Sequence, residues 1–336
     1  GYVGAHYVMS ETGQQVLSVR NLKKYFDVRS GVLARKTGKV YAVDGVSFDI
    51  AAGETLGLVG ESGCGKSTVG RVIMRLLDPT AGEIHLKGDD ISTISKSDVR
   101  AYRREMQMVF QDPYSSLNPK LSAGTLVSEP LKNFKEGSAT DIRQRVTKLF
   151  ERVGFKPDAM ERYPHEFSGG QRQRLGLARA LAVNPSLIVA DEPVSALDVS
   201  VQAQVINLLI DLQDEFNLAL LFISHDLAVV EHVSHRIAVM YVGKLVEITD
   251  TQTLFKNPQH PYTEALLSAV PTPDPLAAKE KIILAGDVPS PINPPSGCRF
   301  HTRCPYVMDQ CKREDPPLKK VASGHQVACH LRDAAS

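Results

Sequence analysis

Short apolar runs alternate with longer amphipathic segments along most of the chain. The runs of strand length are bounded mostly by turn or polar residues, and they occupy residues 55–59, 106–110, 187–190 and 218–223. Such runs are typical of strands that are buried on both faces of a parallel sheet. The segment 201–216 instead has apolar residues at helical spacing, at Val205, Leu208, Leu209 and Leu212. The pattern therefore predicts an α/β fold.

Three regions depart from this alternation. Residues 40–50 and 82–87 resemble the strands of an antiparallel edge. Residues 113–170 are mostly helical in pattern and predict an inserted helical subdomain, punctuated by Pro113, Pro119, Pro130 and Pro157. The insert 27–39 is predicted to be a solvated loop, or alternatively a contact with a membrane partner or lipid head groups. Its basic residues are Arg29, Arg35, Lys36 and Lys39.

Composition divides the chain near residues 256–270. Residues 271–317 contain 10 of the 20 prolines, and four of the five cysteines lie in the last 39 residues. We therefore expect a regular domain over 16–255 and a loop-rich extension over 256–336. Residues 1–15 are expected to be a tag or a disordered N-terminus.

The charge balance argues against a protein that binds a nucleic-acid backbone. There are 39 basic and 38 acidic residues, a net charge of +1, and a strongly basic surface is the usual signature of such binding. No apolar run approaches the roughly 18 residues of a membrane span, and no secretory signal is evident. The sequence predicts a globular protein without a transmembrane helix.

Residues 60–68 form a glycine-rich loop between a predicted strand and a predicted helix, and they fit the pattern G-x-x-x-x-G-K-[ST]. In such loops, backbone N–H groups and the helix N-terminus surround phosphate oxygens. Lys66 would reach the β- and γ-phosphates, and Ser67 would coordinate Mg²⁺. The predicted ATP-binding residues here are Gly60, Glu61, Ser62, Gly63, Cys64, Gly65, Lys66, Ser67 and Thr68.

The apolar run 187–190 ends in two carboxylates, Asp191 and Glu192. Asp191 would hold Mg²⁺ through water, and Glu192 would polarise the attacking water as a general base. Paired carboxylates at a strand end otherwise often cap a helix, but the phosphate loop favours the catalytic interpretation. Together the two motifs indicate an ATPase or a GTPase.

The segment Phe167–Gln171, with the sequence FSGGQ, resembles the LSGGQ signature of the ATP-binding subunits of ABC transporters, with Phe in place of the first Leu. Further motifs of that family follow its order. They are Gln111 as the Q-loop, Ser195, Ala196, Leu197 and Asp198 as the D-loop, and His225 as the switch histidine. Phe26 matches the aromatic residue that stacks on adenine, with Tyr25 or Tyr41 as alternatives.

The resemblance implies a P-loop, RecA-like ABC nucleotide-binding domain with an antiparallel β subdomain and a helical subdomain. It implies that Gln111 contacts Mg²⁺ and that His225 contacts the γ-phosphate. It also implies that the signature binds ATP held by an opposite cassette, through Ser168, Gly169, Gly170 and Gln171.

The tail segments 257–267, 286–295 and 297–304 resemble the C-terminal extension of oligopeptide, dipeptide and nickel importer ATPases, most closely the DppF or OppF type. This implies an ATP-hydrolysing subunit that powers peptide import at the cytoplasmic face of the inner membrane. The implied partners are a second ATPase of the DppD or OppD type, two transmembrane permeases and an extracytoplasmic substrate-binding protein. Nickel chelates, glutathione and oligosaccharides remain open as cargo.

The tail cysteines are spaced as C-x5-C-x6-C-x17-C, at Cys298, Cys304, Cys311 and Cys329. Zinc sites usually contain closer cysteine pairs, whereas four-thiolate iron–sulfur sites accept wider spacing, and the resembling family carries a [4Fe–4S] cluster. Zinc and unliganded thiols are the alternatives. Three histidines are less favoured substitute ligands: His301, His325 and His330.

A second class of function is a soluble ABC ATPase that acts on nucleic acid or ribosomes. Such proteins usually have two cassettes in one chain or a long coiled-coil insertion. This chain has one cassette, no heptad run and a net charge of +1. These features favour the importer and predict no nucleic-acid partner.

Overall fold

The computed structural model describes residues 14–30, 35–112, 117–270 and 282–335. Its strands are β1 (Gln15–Ser30), β2 (Arg35–Ala51), β3 (Thr55–Val59), β4 (Ala81–Leu86), β5 (Asp89–Asp90), β6 (Met106–Val109), β7 (Leu187–Asp191), β8 (Ala219–Ile223), β9 (Arg236–Tyr241), β10 (Lys244–Asp250), β11 (Lys319–Ala322) and β12 (His325–Val327).

Its helices are α1 (Lys66–Ile73), α2 (Lys96–Tyr102), α3 (Ala123–Asn133), α4 (Ala139–Arg152), α5 (Gly169–Leu181), α6 (Val199–Phe216), α7 (Leu227–Val233), α8 (Thr251–Lys256), α9 (Pro261–Ser268) and α10 (Asp309–Arg313). Short 3₁₀ turns cover Pro157–Glu161, Pro164–Glu166 and His330–Ala335. None of the helices in the described part of the chain is long and apolar enough for a membrane span.

The central sheet confirms the predicted α/β fold. Its strand order is β11-β12-β10-β9-β3-β8-β7-β6, and the pairings from β9 to β6 are parallel. Strands β3, β7 and β8 are buried along their whole length, which explains why nearly all of their residues are apolar. Because parallel strands end at one edge, this sheet brings the loops after β3, β6, β7 and β8 together.

A second, antiparallel sheet has the order β2-β1-β4-β5 and confirms the predicted antiparallel subdomain. The prediction of a loop over 27–39 is wrong for its described residues. Strands β1 and β2 stay paired from Asp27↔Lys39 to Ser30↔Arg35. The paired backbones satisfy each other's hydrogen bonds, so the ladder continues beyond the apolar part of both strands. Residues 31–34 lie outside the described residues.

Helices α3, α4 and α5 pack around one apolar core, which includes Leu126, Val146, Phe150 and Leu177. Serine side chains accept hydrogen bonds from the first turn of each helix, at Ser122, Ser138 and Ser168. The predicted helical subdomain begins at residue 113, but 113–116 lie outside the described residues. Its exact limits remain a prediction.

The tail beyond residue 256 is joined to the central sheet. Strand β12 pairs with β10, and β11 pairs with β12. Tyr262 and Phe300 are fully buried against Tyr241 at the end of β9, with ring centroids 4.6 and 5.2 Å from that tyrosine. The extension therefore shares its core with the rest of the chain. Residues 271–281 lie outside the described part.

Candidate active site

The glycine-rich loop joins β3 to α1 and lines a cleft of about 450 Å³. Gly60 and Gly65 have φ angles of 152° and 108°. A Cβ atom at Gly60 would lie 2.1 Å from the carbonyl oxygen of Met240, and one at Gly65 would lie 2.0 Å from that of Ala42. Only glycine fits at these two positions. The tight packing sets the path of the loop from Ser62 to Thr68 along the cleft.

Lys66 is buried at the start of α1, and its Nζ donates to the carbonyl oxygens of Gly60 (2.6 Å) and Glu61 (3.1 Å). The loop thus holds the ammonium group beside its own backbone. The thiol of Cys64 also lies in the cleft, but burial raises its pKa. A protonated, buried thiol is a poor nucleophile, so the cysteine contributes packing.

Ser67 and Asp191 bring two oxygen donors together. The Ser67 Oγ donates to Asp191 Oδ1 over 2.7 Å, from α1 to the end of β7. Burial raises the pKa of Asp191, while the Ser67 hydroxyl opposes this shift. Hydroxyl and carboxylate oxygens are the ligand types that Mg²⁺ prefers, so this pair fits a magnesium ion.

Gln111, Glu192 and His225 converge at the strand ends. The Gln111 Nε2 donates to Glu192 Oε2 (3.1 Å) and to Ser195 Oγ (3.2 Å). The His225 Nδ1 lies 3.1 Å from Glu192 Oε1. The carboxylate is therefore held between an amide and an imidazole from two other loops. Gln111 and Glu192 line the same cleft as Lys66.

The aromatic Phe26 lines the same cleft together with Val40 and Pro291. The two alternative aromatics are engaged elsewhere. Tyr25 donates its hydroxyl to Asp44 Oδ1 (2.6 Å), and its ring packs edge-on against Tyr41 at 4.7 Å. The Tyr41 N–H donates to the Pro291 carbonyl over 2.9 Å, which attaches a tail segment to this wall.

The signature segment begins α5. Ser168 and Gln171 form a reciprocal cap, with Gln171 N–H donating to Ser168 Oγ (3.3 Å) and Ser168 N–H to Gln171 Oε1 (2.9 Å). A Cβ atom on Gly170 would lie 2.2 Å from a Val201 methyl group, and one on Gly169 would lie 3.2 Å from Leu197. Among the described residues that line the cleft, none belongs to the signature.

The tail reaches the phosphate loop at Glu61, a contact that the sequence analysis missed. The Glu61 N–H donates to Tyr262 Oη over 2.9 Å. Arg303 forms a two-point ion pair with the Glu61 carboxylate, at 2.8 and 3.3 Å. Tyr262 and Arg303 lie in segments whose sequence indicates only the family resemblance, and no local pattern links them to a loop some 200 residues away.

The four tail cysteines form one group of free thiols. Cys304, Cys311 and Cys329 all lie near enough to Cys298 to add to the rise of its pKa, and Cys311 acts in the same direction on the pKa of Cys304 and of Cys329. Burial raises the pKa of Cys298 to about 12 and raises those of Cys304 and Cys329. Backbone N–H groups two residues further along donate to three of the sulfurs, from Phe300, Tyr306 and Leu331.

The nearby histidines have other partners. His325 Nε2 lies 2.7 Å from Glu247 Oε1, His330 Nε2 lies 3.0 Å from the Glu314 carbonyl, and His301 Nδ1 lies 2.8 Å from the Cys298 carbonyl. Within the described ranges, no three His, Cys, Asp or Glu side chains converge as the ligands of a single metal ion would.

Comparison with known proteins agrees with this geometry. The ABC transporter family matches residues 43–195, and the family described as oligopeptide/dipeptide transporter, C-terminal region, matches 246–311. A probable peptide ABC transporter ATP-binding protein of Sinorhizobium fredii is 56% identical, over 96% of this chain and 91% of its own length. The oligopeptide transport ATP-binding protein AppF of Bacillus subtilis is 55% identical, over 95% of this chain and 98% of its own.

Among solved structures, the dimeric ATP-binding cassette MJ0796 bound to ADP and Pi matches with a TM-score of 0.62 and 29% identity. The match covers 70% of this chain and 98% of that one. The cassette fold and the C-terminal match lie on one chain, and both full-length relatives share them over nearly their whole length. The chain therefore belongs to the ATP-binding subunits of the oligopeptide/dipeptide ABC transporter family.

Proposed function

We propose that this chain is the ATP-hydrolysing subunit of a membrane importer for di- or oligopeptides. The observation that carries the proposal is the convergence of Gln111, Glu192 and His225 beside the phosphate loop, on a chain that also carries the peptide-transporter extension. The relatives named above are peptide and oligopeptide transport proteins. The subunit works peripherally at the cytoplasmic face of the membrane.

The chemistry assigned to the cleft is in-line attack of water on the γ-phosphate. Lys66 and the loop amides bind the phosphates, and Phe26 stacks on the adenine. Glu192 takes a proton from the attacking water, while His225, within hydrogen-bond reach of that carboxylate, orients it. Ser67, Gln111 and Asp191 would hold Mg²⁺, which when bound neutralises phosphate charge.

A second cassette completes the site. The signature lies outside the described lining of its own cleft, yet its helix N-terminus is a suitable anion-binding end. The signature therefore acts on ATP held by a partner. The D-loop Ser195–Asp198 lies beside the signature, because Leu197 is close to Gly169. We assign the partner as a related ATPase of the DppD or OppD type.

The permeases dock in a groove of about 220 Å³ between the central sheet and α5. Leu76 and Phe110 are exposed there despite their size. Gln173 also lines the groove, and its buried Nε2 has no hydrogen-bond partner among the described residues. A permease helix end would cover the apolar side chains and offer a carbonyl to this amide. Pro130 also lines the groove, whereas the adjacent Leu131 is buried in the core.

The cysteine group is proposed to bind a [4Fe–4S] cluster. Such a cluster takes one thiolate per iron, so its ligands surround it instead of meeting at one point. The approach of Cys304, Cys311 and Cys329 to Cys298 and the N–H···S bonds support this arrangement. The alternative, zinc, needs ligands that converge on one ion. When bound, the cluster would cross-link the segments around residues 298–311 and 329.

The test is reconstitution of the chain with its second ATPase and two permeases in lipid vesicles, with the substrate-binding protein supplied on the extracytoplasmic side. Peptide-dependent ATP hydrolysis and peptide accumulation are expected with the wild-type chain, and neither is expected with Glu192→Gln. An assembled complex that hydrolyses ATP without moving any peptide would overturn the peptide assignment. A complex that moves peptide equally well with Glu192→Gln would overturn the catalytic assignment.

A further inference from the structure

The phosphate loop carries a carboxylate at its second position, next to a site that must accept a triphosphate. Glu61 follows Gly60 directly, and its backbone carbonyl accepts a hydrogen bond from Lys66 Nζ. An uncompensated negative charge at this point would repel the anionic ligand. The loop therefore needs a compensating cation other than Lys66, whose ammonium group donates to the Gly60 and Glu61 carbonyls and is assigned to the phosphates.

The compensating cation comes from the C-terminal extension. Arg303 binds both oxygens of Glu61, and the exposed fractions of the two side chains are 8% and 28%. Two-point guanidinium–carboxylate pairs are the strong form of this interaction, and low exposure limits solvent screening. Glu61 counteracts the loss of solvation and raises the pKa of Arg303, so the guanidinium stays charged.

Tyr262 fixes the same residue through its backbone. Its hydroxyl oxygen accepts the Glu61 N–H, and its ring is fully buried beside Tyr241 and Phe300, at 4.6 and 5.5 Å. The rigid aromatic group therefore sets the position at which Arg303 meets the carboxylate.

We propose that Arg303 is a positioning residue of the ATP site that neutralises Glu61 and so keeps the phosphate loop attractive to ATP. This inference rests on the proposed ATP site but not on the cluster. Since ATP carries one phosphate more than ADP, loss of the arginine weakens ATP binding more than ADP binding.

The experiment measures ATP and ADP affinity of the purified full chain by titration calorimetry with Mg²⁺. Arg303→Met is expected to lower ATP affinity roughly tenfold and ADP affinity less. Arg303→Lys, which keeps the charge, retains most of the ATP affinity. Arg303→Met combined with Glu61→Gln recovers it, because the unpaired carboxylate is gone. The matched control is Arg332→Met, which removes a different ion pair of the extension, with Glu264.

A double variant as weak as Arg303→Met would overturn the proposal, since it would mean that the arginine merely braces the loop. Unchanged ATP affinity in Arg303→Met would overturn it too. If Arg303→Met does not fold, Glu61→Gln alone decides: higher ATP affinity supports the charge argument, and lower affinity refutes it. Wild-type protein that binds no ATP would instead refute the proposed ATP site.

Discussion

Glu192 lies at the end of β7 in a left-handed backbone conformation, with φ 48°. Such a conformation costs a non-glycine residue about 1 kcal/mol or more. Here it is held by the Glu192 N–H, which donates to the Ile223 carbonyl over 2.9 Å. The turn directs the carboxylate to Gln111 and His225. A strained residue at the meeting point of three loops is typical of a reacting group.

At the residue scale we predict that different substitutions affect ATP binding and ATP hydrolysis. Glu192→Gln keeps ATP binding but lowers hydrolysis by about 10²- to 10⁴-fold, because only the general base is removed. Lys66→Ala removes the cation of the phosphate loop and loses tight ATP binding. Nucleotide titration and phosphate release in the assembled complex measure both effects. Glu231→Gln, an exposed carboxylate on α7, serves as the control and should change neither. Near wild-type turnover in Glu192→Gln would contradict the assignment.

At the scale of elements, helix α5 links the signature to the groove proposed for the permease. Its N-terminus carries the signature, and Gly176 and Gln173 on its middle turns line the groove proposed for the permease. A Cβ atom on Gly176 would meet open space. The groove thus exists partly because this position has no side chain.

A side chain placed in the open space beside Gly176 should prevent assembly with the permeases without preventing folding of the chain. Gly176→Leu is expected to block co-purification with the permeases while ATP affinity of the isolated chain stays unchanged. Gly176→Ala should raise the free energy of unfolding by roughly 0.5–1 kcal/mol, through helix propensity. Lys148→Leu, on the exposed face of α4, is the control for added bulk. Normal assembly of Gly176→Leu would place the permease elsewhere.

Helix α9 begins with a buried histidine cap. The Tyr262 N–H donates to His260 Nδ1 over 3.0 Å. Burial lowers the pKa of His260 to about 4, with Glu247 opposing and Arg332 adding to the shift. The unfolded chain takes up this proton near the ordinary value of 6.5. Stability is therefore complete above pH 6.5 and falls between pH 6.5 and 4, by up to about 3 kcal/mol.

Urea unfolding at pH 7.5 and pH 5 measures this loss. His260→Asn keeps a capping acceptor but does not titrate, so the difference between the two pH values should shrink. His165→Asn, at an exposed site, should leave the difference unchanged. An equal loss of stability in wild type and His260→Asn would contradict this prediction, because it would show that folding does not lower the pKa of the histidine.

At the scale of the whole molecule, the extension and the cassette form one structure. The tail adds β12 to the central sheet, places Pro291 at the cleft wall, and pairs Arg303 with Glu61. Arg303 directly precedes Cys304, so the order of the cysteine group and that of the phosphate loop are connected through adjacent residues. A segment poor in apolar runs gains its order from these contacts and from the proposed cluster.

Anaerobically purified protein should be brown and contain roughly four irons per chain, as the cluster formula requires. Cys304→Ser should lose the iron and increase hydrogen exchange in residues 298–332, because one ligand is missing. Cys64→Ser, which alters the buried cysteine of the phosphate loop, should keep the iron. Stoichiometric zinc without iron or sulfide in anaerobic protein would replace the cluster by a zinc site.

The linear sequence determined the class of chemistry because each motif is local. A strand, a glycine loop with Lys66, and a strand ending in Asp191 and Glu192 encode their own backbone geometry and can be found by pattern. The buried strands could also be predicted from the sequence, since burial on both faces favours runs of apolar residues. The continued pairing of residues 27–30 with 35–39 could not be predicted, because strands of polar residues have no apolar run that would reveal them.

Tertiary structure alone decided which distant side chains meet. Parallel strand order brought Gln111 and His225 to opposite sides of Glu192. Packing of the tail against Tyr241 at the end of β9 brought Tyr262 and Arg303 to Glu61 across more than 200 residues. Such contacts depend on how elements pack and not on residue spacing, so no local pattern contains them. For the same reason the sequence identified four cysteines by type, while their mutual proximity had to come from the fold.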